Sequence, residues 1–179
     1  MAGHHEGRPS MIVMRHRASG ALAVVTGLGG HGEPVWEQIG PLPAWVPADL
    51  AMVAADGTIT ADLDAARARR WAAIKAERER RLRVAPTSGG PLDVDETGRS
   101  NILGMMQALE LLGPGVEEPI VWKRADNVLG HYTRQQFKSV ALEALAHIQA
   151  VYAVSFALEA AINAATSLTE IEEVAWPDA

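Results

Sequence analysis

Phe137, Ala141, Ala144, Ile148, Val151, Ser155, Leu158, Ile162 and Ala165 recur in alternating steps of four and three residues. A seam of this kind, kept for four heptads, predicts one long helix over residues 133–165 that packs as a coiled coil or bundle. Thr133 and Gln136 form a capping box at its start. Its flanking positions are apolar as well (Val140, Leu142, Val154, Phe156, Ala161), where a two-stranded coil would place charges, so the helix should touch at least two neighbours. Those neighbours are other helices of the chain or copies of the same helix.

The same period predicts a helix over residues 62–83. Leu63, Trp71, Ile74 and Leu82 fall in one narrow stripe, the stretch holds neither Gly nor Pro, and Asp62 or Asp64 can cap it. A third helix, over residues 101–112, follows from Ile102, Met105, Met106, Leu109 and Leu112, with Gly113-Pro114-Gly115 as its stop. Ser167 with Glu170 opens a short last helix that ends by Trp176-Pro177.

Upstream of residue 62 the pattern shortens to strands. Residues 11–18 and 21–26 flank a Ser19-Gly20 turn, 35–39 is a further strand, and 50–54 with 58–60 flank Asp56-Gly57. Residues 119–124 and 128–132 predict one more hairpin around Asp126-Asn127. The fold class is therefore α+β. It divides into an arm without periodicity (1–10), a small β module (11–61), a basic connecting helix (62–85) and a helical domain (92–179), with the domain boundary near the break at residues 86–91, PTSGGP, or at the start of the basic helix.

Charge changes the picture at the connecting helix. Eight of the sixteen Lys and Arg lie there (Arg67, Arg69, Arg70, Lys75, Arg78, Arg80, Arg81, Arg83), in a chain of net charge −6. From Ser139 onward there are six acids and no Lys or Arg, a ready complement within the chain or between chains. Arg67 and Arg78 fall inside the apolar stripe, which favours a protein contact in which the stems pack and the heads pair. The acidic balance argues against general nucleic-acid affinity, and the Arg-rich helix keeps only a local site conceivable. The longest uncharged run, residues 144–158, is short for a bilayer span and contains His147 and Gln149, so no membrane is expected.

Catalytic chemistry finds little support. There is no cysteine, hence no disulfide framework and no thiolate nucleophile or metal site. Gly27, Gly29 and Gly32 match G-x-G-x-x-G, but Pro34, Pro41, Pro43 and Pro47 exclude the helix that fingerprint needs. Asp93, Asp95, Thr97 and Gly98 match the opening of a calcium loop, but Gly104 stands where the bidentate Glu belongs, so Asp95 or Thr97 reads as a helix cap. His4, His5, His16, His31, His131 and His147 lack metal-ligand spacing, and His147 reads as a core or interface histidine. The pairs Glu117-Glu118 and Glu172-Glu173 diverge by about 100° on a helix and cannot act as converging acid and base. We expect no enzyme, no cofactor and no metal.

Residues 71–176 resemble an uncharacterised domain of bacteriophage tail fibre and tail-associated proteins. The stretches that carry the likeness are WAAIKAERERRL, SNILGMMQALE, PIVWKRADN, YTRQQFKSVALEALAHIQAVY and LEAAINAATSLTEIEEVAW. This chain departs from the family over residues 84–96, where a short strand with an aromatic residue is usual, which leaves a local sheet there in doubt. The resemblance implies a structural component of the virion tail, synthesised in the bacterial host cytoplasm, that attaches a fibre or tail-tip protein. It implies a homo-oligomer, a trimer by preference, built on the heptad face. The interface residues expected on this reading are Arg67, Trp71, Ile74 and Arg78 on the basic helix, with Phe137, Ala141, Ala144, Ile148, Val151, Ser155, Leu158 and Ile162 on the long one. A tail-fibre assembly chaperone is the alternative, and a nucleic-acid-binding module using the Arg-rich helix a further one.

Overall fold

A computed structural model describes residues 11–26 and 36–177. The arm at 1–10 and the glycine loop at 27–32, with His4, His5 and His31, lie outside the described residues. The order of elements is β1 (Met11–His16), β2 (Leu22–Thr26), β3 (Trp36–Pro41), a 3-10 turn, β4 (Ala51–Val53), β5 (Ile59–Ala61), α1 (Leu63–Arg81), β6 (Val84–Ala85), β7 (Leu92–Asp93), α2 (Glu96–Leu112), a second 3-10 turn, β8 (Ile120–Lys123), β9 (Leu129–Tyr132), α3 (Arg134–Ala164) and α4 (Leu168–Glu173). The α+β class expected from the pattern is the observed one.

The chain forms two compact units, and the division falls inside α1. The first holds the described part of Met1–Arg69 together with Ala165–Glu173; the second holds Arg70–Ala164 and the described part of Val174–Ala179. The last helix therefore belongs with the β module, not with the helical domain that sequence order suggested.

In the first unit β1 is the central strand of an antiparallel sheet in the order β2-β1-β3. Gly20, at φ 71°, closes the β1–β2 turn by donating its N–H to the His16 carbonyl at 2.8 Å. A bulge between Val13 and Met14 shifts the β1–β3 register. The β4–β5 hairpin turns on Gly57, at φ 87°, beside Asp56, whose carboxylate accepts from the Thr58 amide and hydroxyl. Leu168 and Ile171, three residues apart, give α4 an apolar face. With Ala165 they close a core over Val46, Leu50, Ala61 and Ala66.

In the second unit α2, α3 and two small hairpins enclose Ala85, Leu92, Val94, Leu109, Ile120, Tyr132, Phe137, Val140, Ala141 and Ala144. Phe137 has no exposed surface and packs its ring against Trp122 and Tyr132, with centroids 4.8 and 6.1 Å away. Burying one such ring is worth about 1.5–3 kcal/mol. Capping follows the sequence signals. Asp62 accepts from the Asp64 and Ala65 amides at the start of α1, Asp95 accepts from the Gly98 amide on α2, and Thr133 and Gln136 bond reciprocally on α3. Ser167 caps α4, whereas Glu170 reaches back to the Thr166 amide and hydroxyl. The opening of the calcium-like motif is thus a helix cap, and a side chain at Gly98 would collide with the Asp93 carbonyl.

Two expectations about residues 84–96 are corrected. A local sheet is present: β6 and β7 pair Val84 with Asp93 and Ala85 with Leu92. The PTSGGP segment between them is a packed loop, not an interdomain break. Tyr132 and Arg124 donate to the Gly89 carbonyl at 2.8 and 3.2 Å, and Ser88 donates its amide and hydroxyl to Glu143 at 2.6 and 2.8 Å. Those two bonds hold the Glu143 carboxyl below its usual range.

Candidate protein-binding surface

The basic helix satisfies itself. In the first unit Arg67 donates to Asp64 and to the Ala165 carbonyl, and Arg69 bridges Asp49 and Glu172 at 2.7 and 2.9 Å. In the second unit Arg70 donates to the Val174 carbonyl and Arg78 pairs with Glu79. Arg80 and Arg81 converge on Glu77, with every contact at 2.7 Å, and their hydrogen bonds hold the Glu77 carboxyl at about 2, well below the usual 4.5. Lys75 lies over the Trp71 ring, 5.8 Å from its centroid. Seven of the eight bases of residues 62–83 thus contact groups of the same chain, which leaves less free charge for an outside partner than the sequence implies.

The stripe residues of α1 are internal too. Ile74 is buried, and its carbonyl accepts from the Trp176 indole N–H at 3.2 Å. Arg78 sits between the half-buried Trp71 and Tyr152, with ring centroids 6.0 and 5.6 Å from its guanidinium. The Arg81 guanidinium lies 4.8 Å from the Trp176 ring centroid. His147 places Nε2 3.0 Å from the Arg81 carbonyl, at the end of α1 where carbonyls lack helical partners. Residues 174–176 therefore strap along the second half of α1, a feature for which the lone Trp176 near the terminus was the only sequence signal.

On α3 the heptad seam is likewise occupied within one chain. Phe137, Ala141, Ala144, Val151, Ser155 and Ile162 are buried, while Ile148 and Leu158 are half-buried. Six of these eight positions are covered within one chain, while Ile148 opens on the groove between α2 and α3. The flanks are more open. Leu142, Leu145 and Phe156 are 59, 49 and 60% exposed.

Leu142 and Leu145 rim an open groove between α2 and α3, of about 290 Å³, whose floor and walls include Ile102, Leu103, Met106 and Ile148. Arg99 is the charged residue of the lining. Phe156 lies farther along α3 and stacks on Tyr152, with centroids 6.0 Å apart and planes inclined by 29°. A second exposed surface is the outer side of the β8–β9 hairpin, where Val121 and Leu129, 53 and 57% exposed, stand opposite His131 and Lys123 in a mixed apolar and basic face. Neither surface presents a nucleophile with a base beside it. Among the described residues no three His, Asp or Glu side chains gather to hold a metal ion.

By length and composition α3 is apolar enough to cross a membrane, with a mean hydropathy of 1.5 over its best eighteen residues. The uncharged run taken alone had suggested otherwise. Here one side of α3 is core, and only its opposite side is free.

No curated protein and no solved structure matches the chain. Residues 65–178 match the family model described as Domain of unknown function (DUF4376), from α1 to the C-terminal strap and over more than half of the chain, and on that match the chain belongs to the DUF4376 family.

Proposed function

We propose that this chain is a structural component of a bacteriophage tail, a fibre or tail-tip attachment protein that acts through protein–protein contacts. The observation that carries the contact reading is the apolar α2–α3 groove. The second unit has filled its core, yet leaves Leu103, Leu142, Leu145 and Phe156 uncovered. Contiguous exposed apolar surface of this kind marks an interaction site. The tail assignment is supported by the resemblance over residues 71–176. The outer face of the β8–β9 hairpin is the surface we assign to the tail partner.

The test is quantitative mass spectrometry of purified phage particles from the producing strain. A fixed stoichiometric copy number per particle is expected. Absence from particles, with the chain abundant in the lysate, would overturn the structural role in favour of the assembly chaperone.

A further inference from the structure

The side of α3 opposite its buried seam is free of charge from Leu142 to Ala164. Leu142, Leu145 and Phe156 stand on it, and the positions between are alanine apart from Gln149 and Asn163. Glu143 and Glu159, the charged residues of this stretch, fall outside a wedge of about 140° at the α-helical period. Glu143 is moreover held by Ser88. Leu145 and Phe156, eleven residues apart, point within about 20° of each other and lie ~16 Å apart along the axis. One helix face thus carries both a groove mouth, at Leu145, and a projecting aromatic ring, at Phe156.

From this we infer that the charge-free face of α3 is a self-association surface, on which a second copy of the chain docks antiparallel and each Phe156 enters the α2–α3 groove of the other copy. The inference rests on the protein-contact part of the proposed function. An antiparallel pair centred between Ala150 and Ala153 sets each Phe156 within two residues of Leu145 of the second copy. Alanine along the centre lets two helices approach to about 8 Å, so that a side chain on one reaches the flank of the other. Phe156 arrives held against Tyr152, which limits the rotamer entropy lost on docking.

Area and charge favour a copy over an unrelated partner. Leu103, Leu142, Leu145 and Phe156 are 58, 59, 49 and 60% exposed, and an isologous pair covers this set on both copies at once, where an unrelated partner covers it on one. The pairing is isologous, so the same patch supplies knob and hole on both sides. The wedge holds no charged side chain, and Arg99, the charged residue of the groove lining, is exposed, so its stem packs while its head stays in water.

Sedimentation velocity on the full chain at micromolar concentration tests this. A species of twice the monomer mass is expected for the parent chain. Phe156→Asp and Leu145→Asp alter exposed positions, so the far-UV circular dichroism should be retained while the dissociation constant rises at least ~30-fold. Leu111→Asp, at an α2 position 84% exposed and outside the groove lining, should leave the dimer intact. A parent chain that stays monomeric, or a dimer that Phe156→Asp does not weaken, overturns the inference. Flotation of the parent chain with phosphatidylglycerol vesicles, lost in Phe156→Asp, would overturn it in favour of a lipid surface. A monomer found in particles would overturn this inference alone, whereas a dimer absent from particles would overturn the tail assignment alone.

Discussion

The Tyr132 hydroxyl donates to the Gly89 carbonyl across 2.8 Å, and the same ring edge leaves no room for a side chain on Gly89. A Cβ there would stand 2.7 Å from Tyr132 Cε1 and 2.8 Å from Val140 Cγ1. Both neighbours belong to the core of the second unit, so neither can yield cheaply.

Gly89→Ala should therefore lower the unfolding free energy by about 1–3 kcal/mol, the usual cost of overpacking. Tyr132→Phe, which keeps the ring and removes one hydrogen bond, should cost about 1 kcal/mol. Urea unfolding followed by circular dichroism measures both. Equal stability of Gly89→Ala and the parent chain would mean that the loop moves freely away from β9.

That pair also shows where sequence reading reaches and where it stops. The strands and helices followed from periodicity, and the turns from residues tolerant of positive φ: Gly20, Gly57 and Asn127 at 71°, 87° and 64°. Residues 86–91 were misread because Gly, Ser and Pro have the composition of a linker, whereas their glycine at 89 answers to a tyrosine 43 positions later. Strands β6 and β7 are two residues each and carry no period to detect. Most of the α3 seam was legible, but Val140, read as a flank, is buried, Ala165 falls in the core of the first unit, and nothing in the spacing said that the chain itself would cover the rest. The acidic end was legible as a complement for the arginines of α1, within the chain or between chains, and Glu172 meets Arg69. The Arg70–Val174 backbone contact and the Trp176 indole on Ile74, more than a hundred residues apart in sequence, carried no charge signal.

Ser155 sits in the α3 seam with no exposed surface, and its hydroxyl has no hydrogen-bond partner. A buried hydroxyl left unpaired costs free energy on folding, about 1–3 kcal/mol by mutational scales. Ser155→Ala removes that cost and also replaces serine by the better helix former, at the expense of one small cavity. The expected outcome is a chain at least as stable as the parent, read from the urea midpoint at unchanged slope. A clear loss of stability would mean that the hydroxyl is bonded in solution, to water or to a neighbouring carbonyl.

Glu77 gives the fold an acid-dependent element. Its carboxylate accepts from Arg80 through both oxygens and from Arg81 through one, which holds its pKa at about 2 against the usual 4.5. A depressed folded-state pKa contributes stability that is fully present above 4.5 and is lost as pH falls from there towards about 2. Glu170, held low by the Thr166 amide and hydroxyl, and Glu143, held low by Ser88, act in the same direction. The melting temperature should therefore fall through this window. The cluster is solvent-accessible and screened, so its share is modest and should shrink further in high salt. Glu77→Gln should melt below the parent chain well above pH 4.5 and converge with it near pH 2. A gap between the two melting temperatures that stays constant across that range would show that the arginine cluster is not what ties the pKa of Glu77 to folding.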